Sequence, residues 1–250
     1  MKDYTSRASV PWYGSRAQIK LVRIADTVTN IGSFAFSGCS NLTDINIPES
    51  ITKVGDNAFL QDFKLASVDM SSAINLTELG TNAFAMCTGL TEVNLAPNLV
   101  TIGSSAFYSC TLLPKVILPQ NVQRIGDNAF GGCTSLKSVT IPKGVIYMGT
   151  LMFQNGTPLE TVYLYHNSVA DTYGEYPENV IKVYLDEKGN VWNVGTKGHE
   201  TDVTASFDSE TGTLVISGSG AMADFTTNSC PWKAYSSQIK KAIVNEGVTR

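Results

Sequence analysis

Apolar residues along this chain fall into a block that returns about every 23 residues. The segment Thr43–Leu65 recurs in phase as Thr91–Leu113, Pro114–Leu136 and Lys137–Leu159. Lys20–Leu42 is an earlier copy, and Ala66–Leu90 is a copy of 25 residues with two extra positions near Ser71–Asn75. A degenerate seventh copy starts at Glu160 and loses the pattern among Tyr173, Tyr176 and Pro177.

Each copy opens on L-x-x-[IV]-x-[ILM], as at Leu42, Ile45 and Ile47 or Leu90, Val93 and Leu95. Alternation at period two predicts a short strand with one row of side chains inward and the other on an exposed sheet face. Pro48, Pro119 and Pro142 follow the strand, where no donor is needed. An apolar residue and a glycine come next, at Ile31-Gly32, Val54-Gly55, Leu79-Gly80, Ile102-Gly103, Ile125-Gly126 and Met148-Gly149. A glycine at every such turn implies positive φ or close backbone approach. Asp56-Asn57 and Ser104-Ser105 then supply N-cap chemistry for a short helical turn that carries Ala-Phe. That turn delivers Phe36, Phe59, Phe84, Phe107, Phe130 and Phe153 to one column.

No single copy can bury its apolar face, whereas neighbours stacked about 4.8 Å apart on the strand side bury it jointly. The predicted fold class is therefore a repeat solenoid, a right-handed superhelix of mostly short parallel β-strands with short helical turns. A small antiparallel β-hairpin cap region is expected near the C-terminus, from two alternating strands within Ala205–Ser217 about a turn at Ser209–Gly212.

A longer period relates the two ends. Pro231-Trp232, Ile239-Lys240 and Val248-Thr249 match Pro11-Trp12, Ile19-Lys20 and Val28-Thr29 at a constant shift of 220 positions. Met222, Asp224 and Phe225 match Met1, Asp3 and Tyr4 after a one-residue gap. The expected organisation is an incomplete entrance or cap segment at 1–19, a solenoid of six repeats and a degenerate seventh at 20–185, a linker at 186–202, and at 203–250 the hairpin cap with the start of a second array. This organisation reads as a piece of a longer tandem protein. It also suggests head-to-tail self-association, with the hairpin of one chain covering the N-terminal end of another.

Bulk properties exclude several function classes. Hydrophobic residues make up 43% and charged residues 16%, and 18 Lys+Arg against 22 Asp+Glu leave a formal charge of −4. That balance does not recruit nucleic acid. No apolar run reaches the roughly 18 residues of a membrane helix, so no membrane insertion is expected of this chain. Met1–Thr5 lacks the apolar core of a signal peptide, which places any export signal outside this sequence.

The unit L-x-x-[IV]-x-[IL]-P-x-x-[VI]-x-x-[IV]-G-x-x-A-F-x-x-C-x-x-L resembles the BspA-like leucine-rich repeat family of bacterial cell-surface proteins, over residues 20 to about 165. The stretch 211–222 followed by Pro231-Trp232 also looks like the segment that introduces such arrays. The resemblance implies a secreted or cell-surface protein that binds host extracellular matrix or another cell surface, with no catalytic activity of its own. Asp62 and Gly156 depart from the pattern at the repeat cysteine, and Met152 at the repeat alanine.

Candidate chemistry is sparse. Cys39, Cys87, Cys110 and Cys133 form one column, read as buried space-filling thiols in preference to a metal stripe or axial disulfides, and Cys230 as a further apolar filler. Gly218–Ala223 mimics a dinucleotide fingerprint, but a real one must open a helix. His166 and His199 lack a nucleophile motif or a second ligand set and read as surface residues. Asp56-Asn57 and Asp127-Asn128 are explained by helix capping before calcium. No cofactor and no metal is expected.

The surface left for binding is the outward row of the strands. It presents Arg23, Asn46, Asp69, Asn94, Ile117, Thr140 and Tyr163 at one position and Asp44, Ser67, Glu92, Lys115, Ser138 and Thr161 at the neighbouring one. Tyr163 and Tyr165 end this face either as an aromatic contact patch or as a closure of the array. The expected partner-binding residues are Arg23, Asn46, Asp69, Asn94, Lys115, Thr140, Tyr163 and Tyr165, and the expected partner is a protein or glycan. A structural spacer or display array, and an accessory binding domain of a larger surface enzyme, are the alternative functions.

Overall fold

The structure is a computed structural model. It describes the chain except for residues 166, 178–179, 186–190, 197–201, 209–211, 226–229, 247 and 250. Each repeat makes one coil of a solenoid with three sides. The L-x-x-[IV]-x-[IL] segment forms the first side, with strands at Leu21–Val22, Asp44–Ile45, Ser67–Asp69, Glu92–Asn94, Lys115–Ile117, Ser138–Thr140 and Thr161–Leu164. The inward residues Ile45, Val68, Val93, Val116 and Val139 are buried, as the alternation requires.

A second row of strands occupies the segment before each glycine, where the sequence had suggested only a turn. Asn30–Ile31, Lys53–Val54, Glu78–Leu79, Thr101–Ile102, Arg124–Ile125 and Tyr147–Met148 pair in parallel as one continuous six-stranded sheet. Two residues are too few for alternation to announce a strand; the pairing arises between coils. Each glycine amide extends it, with Gly55 N–H donating to Ile31 O and Gly103 N–H to Leu79 O, both at 2.8 Å. These glycines answer to close approach, not to positive φ. A Cβ on Gly103 would lie 2.5 Å from the Gly80 carbonyl carbon and 2.7 Å from Thr81 N, a separation that would force the coils apart.

Positive φ falls two residues later. Asn57 (56°), Asn82 (53°), Ser105 (54°) and Asn128 (54°) are left-handed, and so are the residues four further on, Gln61 (66°), Met86 (59°), Ser109 (56°) and Gly132 (72°). The expected helical turn is thus replaced by a flat turn with two left-handed residues, a conformation that Asn tolerates best among residues with a side chain. The reason is again between coils. Asn57, Phe59 and Gln61 donate their N–H groups to the carbonyls of Thr81, Ala83 and Ala85 at 2.8–2.9 Å, so the third side becomes a hydrogen-bonded ladder that a helix, satisfying itself, could not form.

The phenylalanine column is present and longer than its repeats. Ring centroids run from Phe36 to Phe153 at spacings of 5.0–6.1 Å. Trp12 stacks on Phe36 at 5.9 Å and Tyr176 on Phe153 at 6.0 Å, closing the two ends. Each end ring is amphipathic and finds a partner for its polar atom: Trp12 Nε1 donates to Ala35 O at 2.8 Å, and Tyr176 Oη to Ala170 O at 2.9 Å.

Beyond the seventh coil the first row continues as Ile181–Leu185 in parallel, then Val191–Asn193, Val203–Asp208 and Thr213–Gly218 in antiparallel order. Val191–Asn193, within the segment read as a linker, is therefore a strand of the same sheet. The hairpin of Val203–Asp208 and Thr213–Gly218 is formed, and the residues of its turn at 209–211 lie outside the described residues. Its second strand pairs in parallel with Lys241–Val244, the counterpart of residues 21–24 under the shift of 220. Both edges of the hairpin are thus taken within the chain, by Val191–Asn193 and by Lys241–Val244. The hairpin therefore presents no unpaired strand edge among the described residues.

Candidate functional site

The residues expected on the binding face separate into three roles. Arg23 is exposed and ion-paired with Asp44 at 2.6 Å. Asn46 takes the N–H of Ile24 at 2.7 Å and gives its amide to Ile24 O at 3.0 Å, so it ties two coils together as a substitute for backbone. Asp69 accepts from Ser71 N at 2.9 Å, and this bond holds its carboxyl below the usual range while folding the extra residues of the 25-residue coil into a turn. Asn94 donates to Glu92 Oε1 at 3.3 Å. Lys115 is exposed and has no ion-pair partner among the described residues. Thr140 is half-buried.

Tyr163 is also half-buried, and burial raises its hydroxyl's pKa, with Cys230 adding to the effect. Its ring packs on a second core built by Val183, Val203, Phe207, Leu214 and Ile216. At this point the sheet exchanges the face it buries, because the hairpin region lays its apolar side over residues that point outward in earlier coils. Thr161, expected on the exposed row, is 2% exposed for the same reason. Of the two roles open to Tyr163, the geometry favours closing the array. Tyr165 lies at the same end and is half-buried. The open face therefore runs from Arg23 to Thr140.

Within that face the first row is discontinuous. It breaks twice: Asp44–Ile45 does not pair with Ser67–Asp69, and Glu92–Asn94, which pairs with Ser67–Asp69, does not pair with Lys115–Ile117. The second break coincides with the loss of a donor. Thr43, Thr91 and Glu160 each donate a backbone N–H to the preceding coil, to Lys20 O, Ala66 O and Lys137 O at 2.8–2.9 Å. The residue at that position in the intervening coil is Pro114, which has no N–H. An open groove of about 720 Å³ lies along this second break, lined among others by Glu92, Asn94, Lys115, Ile117, Pro97 and Pro119.

The second row presents another outward face that the sequence reading missed. It carries Asn30, Lys53, Glu78, Thr101, Arg124 and Tyr147 in register. Lys53 pairs with Glu78 at 2.8 Å, and the Arg124 guanidinium lies 4.5 Å from the Tyr147 ring centroid. The polar residue before each apolar-Gly pair was the available signal.

The cysteine column has an internal explanation. Cys87, Cys110 and Cys133 donate their thiols to the carbonyls of Phe59, Phe84 and Phe107 at 3.1–3.2 Å. Thr157, and not Gly156, completes the series with a hydroxyl on Phe130 O at 3.0 Å. Burial pushes Cys39 and Cys133 up to about 12 and raises Cys87 and Cys110 as well. The expected result is that none of these four thiols reacts with iodoacetamide in the native protein at pH 8, while all four react after unfolding. Rapid native labelling of any of them, read by mass spectrometry, would contradict the buried column.

Asp62 interrupts that column. It is fully buried, and neither carboxylate oxygen has a hydrogen-bond partner among the described residues. The other acidic residues of the turns have a different task from the expected capping: Asp56 and Asp127 accept the N–H groups of Thr81 and Thr150, one coil further on, at 2.8 Å. Gly218 and Gly220 have φ of 130° and 117° and lead into a second strand, Gly220–Ala221, so the segment opens no helix. Among the described residues no cluster of three His, Cys, Asp or Glu could hold a metal ion. His166 and His199 lie outside the described residues.

A family model described as BspA type leucine rich repeat region matches residues 12–113 and 67–176, in six copies. Among curated protein sequences nothing matches. A leucine-rich repeat protein from Bacteroides ovatus is 22% identical, with 68% of this chain and 55% of that one covered and a TM-score of 0.46. The T. pallidum leucine rich repeat protein is 22% identical over 72% of this chain and 71% of that one, with a TM-score of 0.44. A leucine rich cell surface protein from Faecalibacterium prausnitzii is 19% identical over 57% and 59%, with a TM-score of 0.34. The chain thus spans little more than half the length of the first of these.

Proposed function

Because the chain belongs to the BspA-type leucine-rich repeat family, we propose that it is a non-catalytic recognition module of a bacterial surface protein, and that it holds a protein or glycan partner against the outward face of its first row of strands. The partner belongs to the extracellular matrix of a host or to another cell surface, and the module acts outside the cell. Among the described residues no helix is long and apolar enough to cross a membrane.

One contrast carries this reading. The inward positions Ile45, Val68, Val93, Val116 and Val139 repeat a single chemistry, whereas their outward neighbours change from coil to coil between charged, amide, hydroxyl and aliphatic. A scaffold that needs only to stack gains nothing from such variety. A surface that recognises a shape does, because a few side chains in a desolvated patch dominate affinity.

The test is binding of the chain to immobilised extracellular-matrix proteins and to a glycan array. Ser67→Arg with Thr140→Arg, placed on either side of the groove, is expected to weaken binding about tenfold or more. Arg124→Glu, on the second row, is expected to leave it within about twofold. The opposite pattern would move the site to the second row.

A further inference from the structure

The groove at the break between Glu92–Asn94 and Lys115–Ile117 has a chemistry of its own, and we propose that it takes an extended peptide segment in which a carboxylate side chain lies next to a branched or aromatic apolar one. This inference rests on the reading of the first row as a binding face and gives that face its main subsite and its class of partner.

Three observations converge on it. The first is geometric. Pro114 has no N–H to match those that Thr43, Thr91 and Glu160 give to the preceding coil, and the two strands stand side by side without a ladder. The opening of about 720 Å³ lies within the usual range of ligand sites. The second is charge. Glu92 is held by the Asn94 amide at 3.3 Å, whereas Lys115 faces the groove with no acidic partner among the described residues. The complementary group is an anion, and a carboxylate on an otherwise extended chain supplies it.

The third is apolar surface. Ile117 is 70% exposed at an outward position where neighbouring coils carry Asn94 and Thr140. Pro97 and Pro119 flank it as rigid walls that lose no rotamer freedom on binding. Together they form a short apolar strip beside the Lys115 ammonium. Among the described residues no aromatic ring lines the groove, so it offers no platform on which a sugar ring could stack, and this favours a peptide over a glycan.

The decisive experiment is an array of short synthetic peptides in which an Asp or Glu beside Leu, Ile or Phe is compared with its charge-reversed and all-polar counterparts, run beside a glycan array. The chain is expected to bind the acidic-apolar peptides about tenfold more strongly than their charge-reversed counterparts. Binding should weaken as salt rises. Lys115→Glu is expected to reverse the charge preference, and Ile117→Ser to reduce binding of all the peptides by about tenfold. Both positions are exposed, and an unchanged melting temperature would show that both variants fold. Glycan binding without peptide discrimination would overturn the proposal, as would peptide binding retained in both variants. Loss of binding in Ser67→Arg with Thr140→Arg but not in Lys115→Glu or Ile117→Ser would keep the face and reject the groove. Indifference to all four substitutions would reject both.

Discussion

Phe107→Ala is expected to destabilise the protein by about 3–5 kcal/mol, the cost of emptying a fully buried aromatic site. Phe107 is 0% exposed and stacks between Phe84 at 5.5 Å and Phe130 at 5.7 Å. Its carbonyl also receives the Cys133 thiol. The site has little room to collapse, because the coils on either side are held at fixed separation by the ladders of the second row and of the turns. Stability in a repeat array is nearly a sum of coil and interface contributions, so one lost ring weakens two interfaces at once. Urea denaturation followed by circular dichroism measures the effect. Leu112→Ala is the control, since Leu112 is 52% exposed and surface truncations usually cost within about 0.5 kcal/mol. A Phe107→Ala protein that melts within about a degree of the parent would show that the ring is not part of a packed spine.

Asp62→Cys, which restores the column residue, is expected to stabilise the protein at neutral pH by about 1–3 kcal/mol, the usual penalty of a buried polar group without a partner. Desolvation drives the Asp62 pKa well above the ordinary carboxylate value. The amides of Cys39 and Gly38 and the Arg7 guanidinium pull the other way, but those amides are already given to Phe36 O and Leu60 O. Cys39 and Cys87, its neighbours in the column, stay uncharged at neutral pH because burial raises both thiols.

The sign of the pH dependence follows. A carboxyl that keeps its proton longer in the folded state than in the unfolded one makes stability fall as pH rises, starting from the ordinary value near 3.8 and ending above the raised folded value. The parent is therefore expected to lose stability over that window, and the Asp62→Cys protein to lack that loss. Urea midpoints of the two proteins across a pH series are the measurement. A difference that stays constant with pH, or a parent more stable than the variant at neutral pH, would refute the account.

Much of the architecture was legible because the signals are local and repeated six times. The strand alternation, the phenylalanine column and the cysteine column each recur at fixed phase, so a single reading is checked by its neighbours. The end members of the spine were also within reach: Trp12 precedes Phe36 by 24 residues and Tyr176 follows Phe153 by 23, one period in each case. Their identity departs from the repeat's phenylalanine, but stacking requires only a ring.

The helical turns and the linker were misread for the opposite reason. Asp-Asn at the head of Ala-Phe has the local chemistry of a helix cap, yet Asn57 adopts φ of 56° so that its amide can reach Thr81 in the next coil. Val191–Asn193 lies in a polar stretch, and only its antiparallel neighbours make it a strand.

On its own, the sequence determined the period, the residues that face inward and the family, since all three are written in side chains that recur along one chain direction. The candidate face depended on more. Pro114 is visible as a residue, but its consequence is a missing bond to a coil one period away. Tyr163 has the alternation of an outward residue, but the hairpin region covers it. Asp62 resembles any other polar substitution until the stacked coils remove its water. Tertiary structure alone decided these, because hydrogen-bond partners and solvent are shared between coils, and no window shorter than a full turn of the solenoid contains both members of the pair.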